Sequence, residues 1–409
     1  MITGWVCAVC GARVDIARAY SWTCPSATVQ DWRHVLLPVD DGRGDVDHVR
    51  SAGHEHANTL VAHRHRSAWW AFAMANGMDD DSAIELALQI GDGFDITPFA
   101  PHEQLSATLD VEVWVKDETA NVAGSHKARH LVGILLHLLV AEQLGLVDER
   151  PPLAISSCGN AALAAATLAA RVEWPIQVFV PTWMDAAFGD GLDRLGADVQ
   201  RCPRDGTTIG DPAMAGFRRA VAAGAVPFSV QGPQNAWCLD TGRTIGWEMH
   251  QVMQSMDVDL ERVYVQVGGG AFATCLSAGL GDTVSLRAVQ AAGCAPLDAA
   301  LRAIEGDQEP ARRWSEVMTP WTEPHSLADG ILDDETYDWL GIVQRVRATQ
   351  GASVVASEEQ IIDAHRLVAE CGAAVSATGT AGLAGLLADL ASGDQPVGPV
   401  AVVFSGVAR

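Results

Sequence analysis

Five short apolar runs stand out along the chain: VEVWV at 111–115, LAI at 153–155, IQVFV at 176–180, VYVQV at 263–267 and VAVVF at 400–404. Each is rich in β-branched residues and lacks an alternating polar face, the pattern of a strand buried on both sides. Longer Ala/Leu-rich segments run between them. In the one that comes after 111–115, Leu131, Ile134, Leu135, Leu138 and Leu139 recur at helical spacing. Strands alternating with helices predict an α/β fold with mostly parallel sheets. The first hundred residues have another texture. Cys7, Cys10 and Cys24 sit among tryptophans and polar residues, Asp40–Asp47 is rich in Asp and Gly, and Ala52–Ala75 has the pattern of a helix.

Parallel sheets bind ligands at the carboxyl ends of their strands, so the residues after each run carry the functional information. After 111–115 comes KDETANVAGSHKAR, a polar, glycine-containing loop in which Lys127 opens a helix. A helix start favours anions, so a lysine there is electrostatically misplaced unless its amine is needed with a lowered pKa. After 153–155, the loop Ser156–Asn160 leads into an Ala-rich helix whose free N–H groups suit a carboxylate or phosphate, or mark a plain cap. After 263–267, Gly268, Gly269 and Gly270 let backbone amides approach an anion, although position 273 is Ala and no G-x-G-x-x-G exists. A phosphate monoester and a structural turn both fit this loop. The last run ends at Ser405 and Gly406.

Composition sharpens one of these signals. Of the 27 basic residues only two are lysines, Lys116 and Lys127, the rest being arginine. Arginine cannot serve as a nucleophile, whereas a desolvated lysine can form an imine with a carbonyl. Lys127 is therefore the candidate catalytic amine, and Lys116 reads as a surface lysine. The net charge of −24 argues against nucleic acid or an anionic membrane as partner. The longest apolar run, Leu131–Val147, is interrupted by His137, Glu142 and Gln143, so no span is expected. Nine cysteines, an odd number, fit reduced thiols, and MITGWVCAVC has no signal-peptide pattern. A cytoplasmic location is expected.

Taken together and in this order, the signals resemble the fold-type II pyridoxal-phosphate enzymes, the group of threonine synthase, threonine and serine dehydratases, cysteine synthase and the tryptophan synthase β chain. The resemblance covers roughly residues 95–409. KDETANVAGSHKAR looks like the signature K-x-E-x-x-N-x-x-G-S-x-K-x-R, which implies Lys127 as the Schiff-base lysine, with His126 beside it where Phe or Val is common. SSCGN is similar to the S-[ST]-G-N loop. That likeness implies that Asn160 meets the cofactor's O3′ and that Ser156, Ser157, Cys158 and Gly159 hold the substrate carboxylate. Gly268, Gly269, Gly270 and Ala271 would form the phosphate cup, and Ser405 would face the pyridine nitrogen. Segments 231–249 and 326–339 look closest to threonine synthases and threonine dehydratases.

The implied architecture is two mostly parallel sheet domains of the tryptophan synthase β kind with a zinc-ribbon-like amino-terminal appendage. Its expected parts are the appendage at 1–45, a large cofactor domain at 46–129 and 229–409, and a small substrate domain at 130–228. Cys7-x-x-Cys10-Gly looks like the first zinc knuckle. In the second, Cys24 is present but position 27 is Ala, so the ribbon reads as degenerate, with Cys7, Cys10 and Cys24 as candidate ligands and His34 available as a fourth. The histidines at 48, 54, 56, 63 and 65 read as a solvated helix face. The expected cofactor is pyridoxal 5′-phosphate, and zinc is the weaker expectation. The expected activity is β/γ-elimination or replacement on a small amino acid, threonine synthase-like or ammonia-lyase-like, in a homodimer. Sulfur-nucleophile β-replacement and a catalytically silent cofactor-binding protein are the alternatives.

Overall fold

The computed structural model describes residues 1–40, 56–147, 149–182, 184, 186–204 and 211–409. Its strands form three sheets. The amino-terminal strands β1 (Ile2–Cys7), β2 (Arg13–Asp15) and β3 (Leu36–Asp40) pair antiparallel with β1 central. The next ten are β4 (Phe99–Pro101), β5 (Val113–Asp117), β6 (Leu153–Ser156), β7 (Ile176–Pro181), β8 (Asp198–Cys202), β9 (Val226–Pro227), β10 (Arg262–Gln266), β11 (Ser285–Ala291), β12 (Ala352–Ala356) and β13 (Val400–Phe404). A four-stranded parallel sheet has the order β8-β7-β6-β9. A six-stranded sheet has the order β12-β11-β10-β13-β5-β4, parallel except for β4.

All five apolar runs are strands, within two residues of the expected ends. β10 and β13 are buried at every position, β13 through an unbroken apolar run and β10 with Arg262 and Gln266 buried at its two ends. The order of the larger sheet matters for function. β13 lies between β10 and β5, so Ser405, just past β13, has the loop after β10 on one side and the loop carrying Lys127 on the other.

Five helices position the functional side chains: α1 (Lys127–Gln143), α2 (Asn160–Arg171), α3 (Thr244–Met256), α4 (Ala271–Leu280) and α5 (Ala377–Ser392). α1 is buried on all sides from Ala128 to Ala141, its apolar residues enclosing Arg129, His130 and His137.

Two sequence expectations are corrected. The helix expected over Ala52–Ala75 is broken where it is described: it comprises Thr59–Ala62, a 3-10 turn at Arg64–Arg66 and a separate helix Ala68–Ala75. The break at Ser67 exposes new amide groups, and the Asp240 carboxylate caps them, accepting from Ala68 N at 2.8 Å and Trp69 N at 3.0 Å. His63 accordingly lies buried beside the Trp247 ring rather than on a solvated face. Positions 41–47 of the Asp/Gly stretch, with His48 and His54, lie outside the described residues.

The second correction concerns Lys116, which is not at the surface: it is fully buried and paired with Glu248. Its amine also donates to Thr97 O at 2.8 Å. Arg129 completes the cluster, donating from Nε and Nη2 to the two oxygens of Glu118 at 2.7 and 2.9 Å, and from Nη1 to Glu248 Oε1 at 2.6 Å. Asn121 donates to Glu118 Oε2 at 2.7 Å. Burial alone would raise the Glu248 pKa, but Arg129 and Lys116 hold its carboxyl well below the usual range. Two cations and two anions are thereby neutralised inside the protein, joining β5, the loop after it, α1 and α3.

Removing one member of such a cluster leaves a buried charge uncompensated, at about 3–5 kcal/mol. Arg129→Met should lower the unfolding free energy by that amount in urea titrations. Arg129→Lys should recover little of it, because an ammonium cannot reproduce the fork to Glu118.

Candidate active site

The loop between β5 and α1 reaches the end of β13 through backbone contacts. His126 N donates to Ser405 O at 3.1 Å, Val407 N donates to Gly124 O at 2.9 Å, and Ser125 bridges to Gly406. His126 Nδ1 lies 3.0 Å from the same Ser405 carbonyl and therefore carries the ring proton, leaving Nε2 without a partner. Burial first, and the neighbouring Lys127 second, keep this imidazole neutral by lowering its pKa well below the ordinary value. The ring stacks on Phe272 of α4 at 4.0 Å.

Lys127 is half-buried at the start of α1. Desolvation lowers its pKa, and the carboxylate of Asp333 and the thiol of Cys238 oppose that shift only in part. The lowering expected from the helix start is thus produced chiefly by burial.

Gly268–Gly270 passes directly into α4, with Gly270 as its amino-terminal cap at φ 99°, a left-handed conformation suited to glycine. No side chain caps this helix, so its first amide groups face outward. The Asp333 carboxyl sits against this loop, so close that a Cβ at Gly268 would strike Asp333 Oδ2. Burial raises the Asp333 pKa to about 6, while Lys127 and the Gly269 amide draw it down. The loop therefore already contacts an anionic group. Asp338 N donates to Gly269 O at 2.7 Å, which fastens the 333–338 segment over the glycines.

Ser405 is buried, and Gln266 at the end of β10 donates from Nε2 to Ser405 Oγ at 2.7 Å. The same nitrogen lies 3.0 to 3.3 Å from the carbonyls of Gly379, Thr378 and Val403, which fixes the amide orientation and leaves Gln266 Oε1 without a partner. Asn160 heads α2 close to Gly406, and its Oδ1 is also buried without a partner. Ser156, Ser157, Cys158 and Gly159 form a half-buried loop ahead of it. Burial raises the Cys158 pKa, with smaller contributions from Asp329, Asp211 and Asp333, so the thiol is kept protonated.

The structure thus gathers Lys127, His126, Asn160, the glycine loop with Ala271, and Ser405 at adjoining strand and helix ends. Cys7, Cys10 and Cys24 lie apart from them, on the amino-terminal sheet. Three residues of the site were not singled out by sequence. Gln266 was legible as the one polar residue in VYVQV, but Asp333 and Cys238 meet the site only through tertiary folding.

A family model described as pyridoxal-phosphate dependent enzyme matches residues 90–406. Among solved structures, a threonine deaminase from T.th. is similar with a TM-score of 0.62 at 22% identity, covering 80% of this chain and 97% of that chain. Maize serine racemase gives 0.61 at 19% identity over 80% and 93%. Diaminopropionate ammonia lyase from Escherichia coli gives 0.61 at 16% identity over 80% and 88%. These likenesses establish a common α/β fold, that of the tryptophan synthase β-like, fold-type II enzymes.

Because its folded-state pKa is raised, Asp333 stabilises the cofactor-free protein fully below the ordinary Asp value. That contribution is lost as pH rises from about 3.8 through about 6. Asp333→Asn should remove this loss, and thermal unfolding above pH 7 should show the cofactor-free variant more stable by ~2–3 kcal/mol. At pH 4 the two proteins should converge.

Proposed function

Because this chain belongs to the pyridoxal-phosphate-dependent enzyme family, we propose that it converts a small amino acid by β- or γ-elimination or replacement, in the manner of a threonine synthase or a threonine/serine ammonia-lyase. Pyridoxal 5′-phosphate is its cofactor, and the residues present fit that group. Ser125 Oγ, His126 Nε2, Asn160 Oδ1 and Gln266 Oε1 are buried without partners around the lysine and serine positions, and the glycine loop presents amides to an anion. Gly268–Ala271 would hold the phosphate, Asn160 the ring hydroxyl, Ser405 the ring nitrogen and Lys127 the aldehyde carbon. Below pH 6, protonated Asp333 can share the loop with a phosphate as a donor rather than repel it.

When bound, the cofactor supplies an aldehyde that condenses with amines and a ring that withdraws electrons from Cα. The chain's own residues do the rest. Burial favours the uncharged amine of Lys127, which can attack a carbonyl and later accept the Cα proton. The free amides at the start of α2 and the Ser156–Gly159 loop orient the substrate carboxylate. Cys158, a protonated thiol, adds no charge there.

The observation that carries the reaction class is the pairing of Gln266 with Ser405. Because Gln266 donates to Ser405 Oγ, the hydroxyl's own proton would be left for the ring nitrogen of a bound cofactor, which would then stay unprotonated. A neutral partner cannot hold that nitrogen charged as a carboxylate would. The ring is then a weaker electron sink, which favours loss of a β or γ substituent over transamination. The proposal also divides the chain into a cofactor-holding part, 46–129 with 229–409, and a substrate-holding part, 130–228, working as a cytoplasmic homodimer.

Borohydride reduction of the cofactor-loaded enzyme followed by peptide mapping should place the label on Lys127. Lys127→Ala should be unlabelled and lose about 10³-fold or more in turnover, and Lys127→Arg should fare no better. Label on another residue with turnover intact would refute the assignment. Ser405→Asp should still bind the cofactor yet lose most 2-oxo acid or ammonia release from serine and threonine. Ser405→Ala, which removes one hydrogen bond of about 1 kcal/mol, should lose only a few-fold. Equal rates for Ser405→Asp and the unaltered enzyme would refute the elimination class.

A further inference from the structure

The amino-terminal sheet carries a second cluster of chemistry-bearing residues. Cys7 ends β1, Cys10 lies in the turn between β1 and β2, and Cys24 and His34 come from the segment leading to β3. Their ligand atoms all lie within 4.8 Å of one another, and every member but Cys10 is buried. We propose that Cys7, Cys10, Cys24 and His34 form a closed tetrahedral zinc site that fastens the amino-terminal sheet onto the segments framing the active site.

Several observations support this. Zinc–thiolate bonds of about 2.3 Å in a tetrahedron place ligand sulfurs ~3.8 Å apart. Cys10 Sγ and Cys24 Sγ are 3.6 Å apart, and Cys7 Sγ lies 3.3 Å from His34 Nδ1. The two knuckles are alike in backbone: Val9 N points at Cys7 Sγ and Ser26 N at Cys24 Sγ, each at 3.4 Å. Amides two residues on thus face the sulfur in both, an arrangement that offsets negative charge on a thiolate. Gly11, at φ 72°, lets the first turn close. In the second turn Ala27 stands where a fourth cysteine would be, and His34 comes in from the chain ahead of β3 to complete the set. Its other ring nitrogen, Nε2, faces Asp31 Oδ2 at 3.4 Å. A carboxylate behind a histidine fixes the tautomer that leaves Nδ1 for the metal.

A site with four protein ligands has no open position, so its metal acts structurally. Two contacts that join this sheet to the catalytic region flank the ligands. Trp22, two residues before Cys24, accepts from Ala236 N at 2.8 Å and meets the Trp237 ring edge-on at 5.3 Å. Arg33, next to His34, pairs with Glu335 at 3.1 Å. Trp237 precedes Cys238, which faces Lys127, and Glu335 lies in the segment over the glycine loop. This site requires nothing of the cofactor chemistry, so it can stand or fall independently.

The test is metal analysis of the full-length reduced protein, produced with zinc supplied and again titrated with cobalt(II) after chelation. One equivalent of zinc per chain is expected, and cobalt should give thiolate charge-transfer absorbance with intense tetrahedral visible bands. His34→Ala and Cys24→Ser should bind substoichiometrically, Asp31→Ala should bind about tenfold more weakly, and His34→Cys should keep one equivalent. Chelation should lower the melting temperature of the unaltered protein but not of His34→Ala. Reduced protein that binds neither metal, a Cys10–Cys24 disulfide in freshly isolated protein, or His34→Ala with an unchanged cobalt spectrum would each overturn the proposal.

Discussion

The position of Lys127 is set by a charge two residues further along its helix. Arg129 is locked between Glu118 and Glu248, and Glu248 in turn holds Lys116, so four charges cancel among fully buried side chains. A buried charge tolerates little displacement, because each lost partner leaves an unsolvated ion. The start of α1 therefore cannot drift relative to β5 or α3. Lys127 lies outside this cluster, and its pKa is lowered without a direct carboxylate pair. Burial disfavours the charged form of both lysines of the chain, but Lys116 has Glu248 in direct contact to oppose it, whereas Lys127 is opposed only by the charges of Asp333 and Cys238.

This division explains the motif around them. In KDETANVAGSHKAR, Lys116, Glu118, Asn121 and Arg129 build the cluster, and Gly124 and Ser125 carry the chain against the end of β13. Lys127 is left facing the catalytic region, with the unpartnered Ser125 Oγ and His126 Nε2 beside it. Opposite it, Gln266 ends β10 as a neutral donor, and the three glycines that follow lead into a helix start whose amides no side chain caps. Because β13 is flanked by β10 and β5, these features meet without a long connection between them.

Much of this was legible in the sequence because parallel strands buried on both faces leave uninterrupted apolar runs, and the residues after each run fall at a strand's carboxyl end. The short strands β4 and β9, and β8, β11 and β12, were missed; β8 carries Asp198, Gln200 and Arg201 at its exposed positions, and β11 interleaves Arg287 and Gln290 with apolar residues. Lys116 was misplaced because a single lysine on an apolar strand gives no sign of its partner, and Glu248 lies far along the chain. Asp333 was unreadable for the same reason. The expected helix at Ala52–Ala75 failed, where described, on a cap supplied by distant Asp240.

In the proposed function one cofactor is held at both ends by this arrangement, its phosphate on the glycine loop and its ring between Lys127 and Ser405. A crystal structure of the protein grown with pyridoxal 5′-phosphate tests it most directly. Phosphate density is expected on the amides of Gly268–Ala271, the ring nitrogen within hydrogen-bond distance of Ser405 Oγ, and continuous density from the aldehyde carbon to Lys127 Nζ. Phosphate clamped instead by side chains such as Arg243, with Ser405 away from the ring, would contradict it.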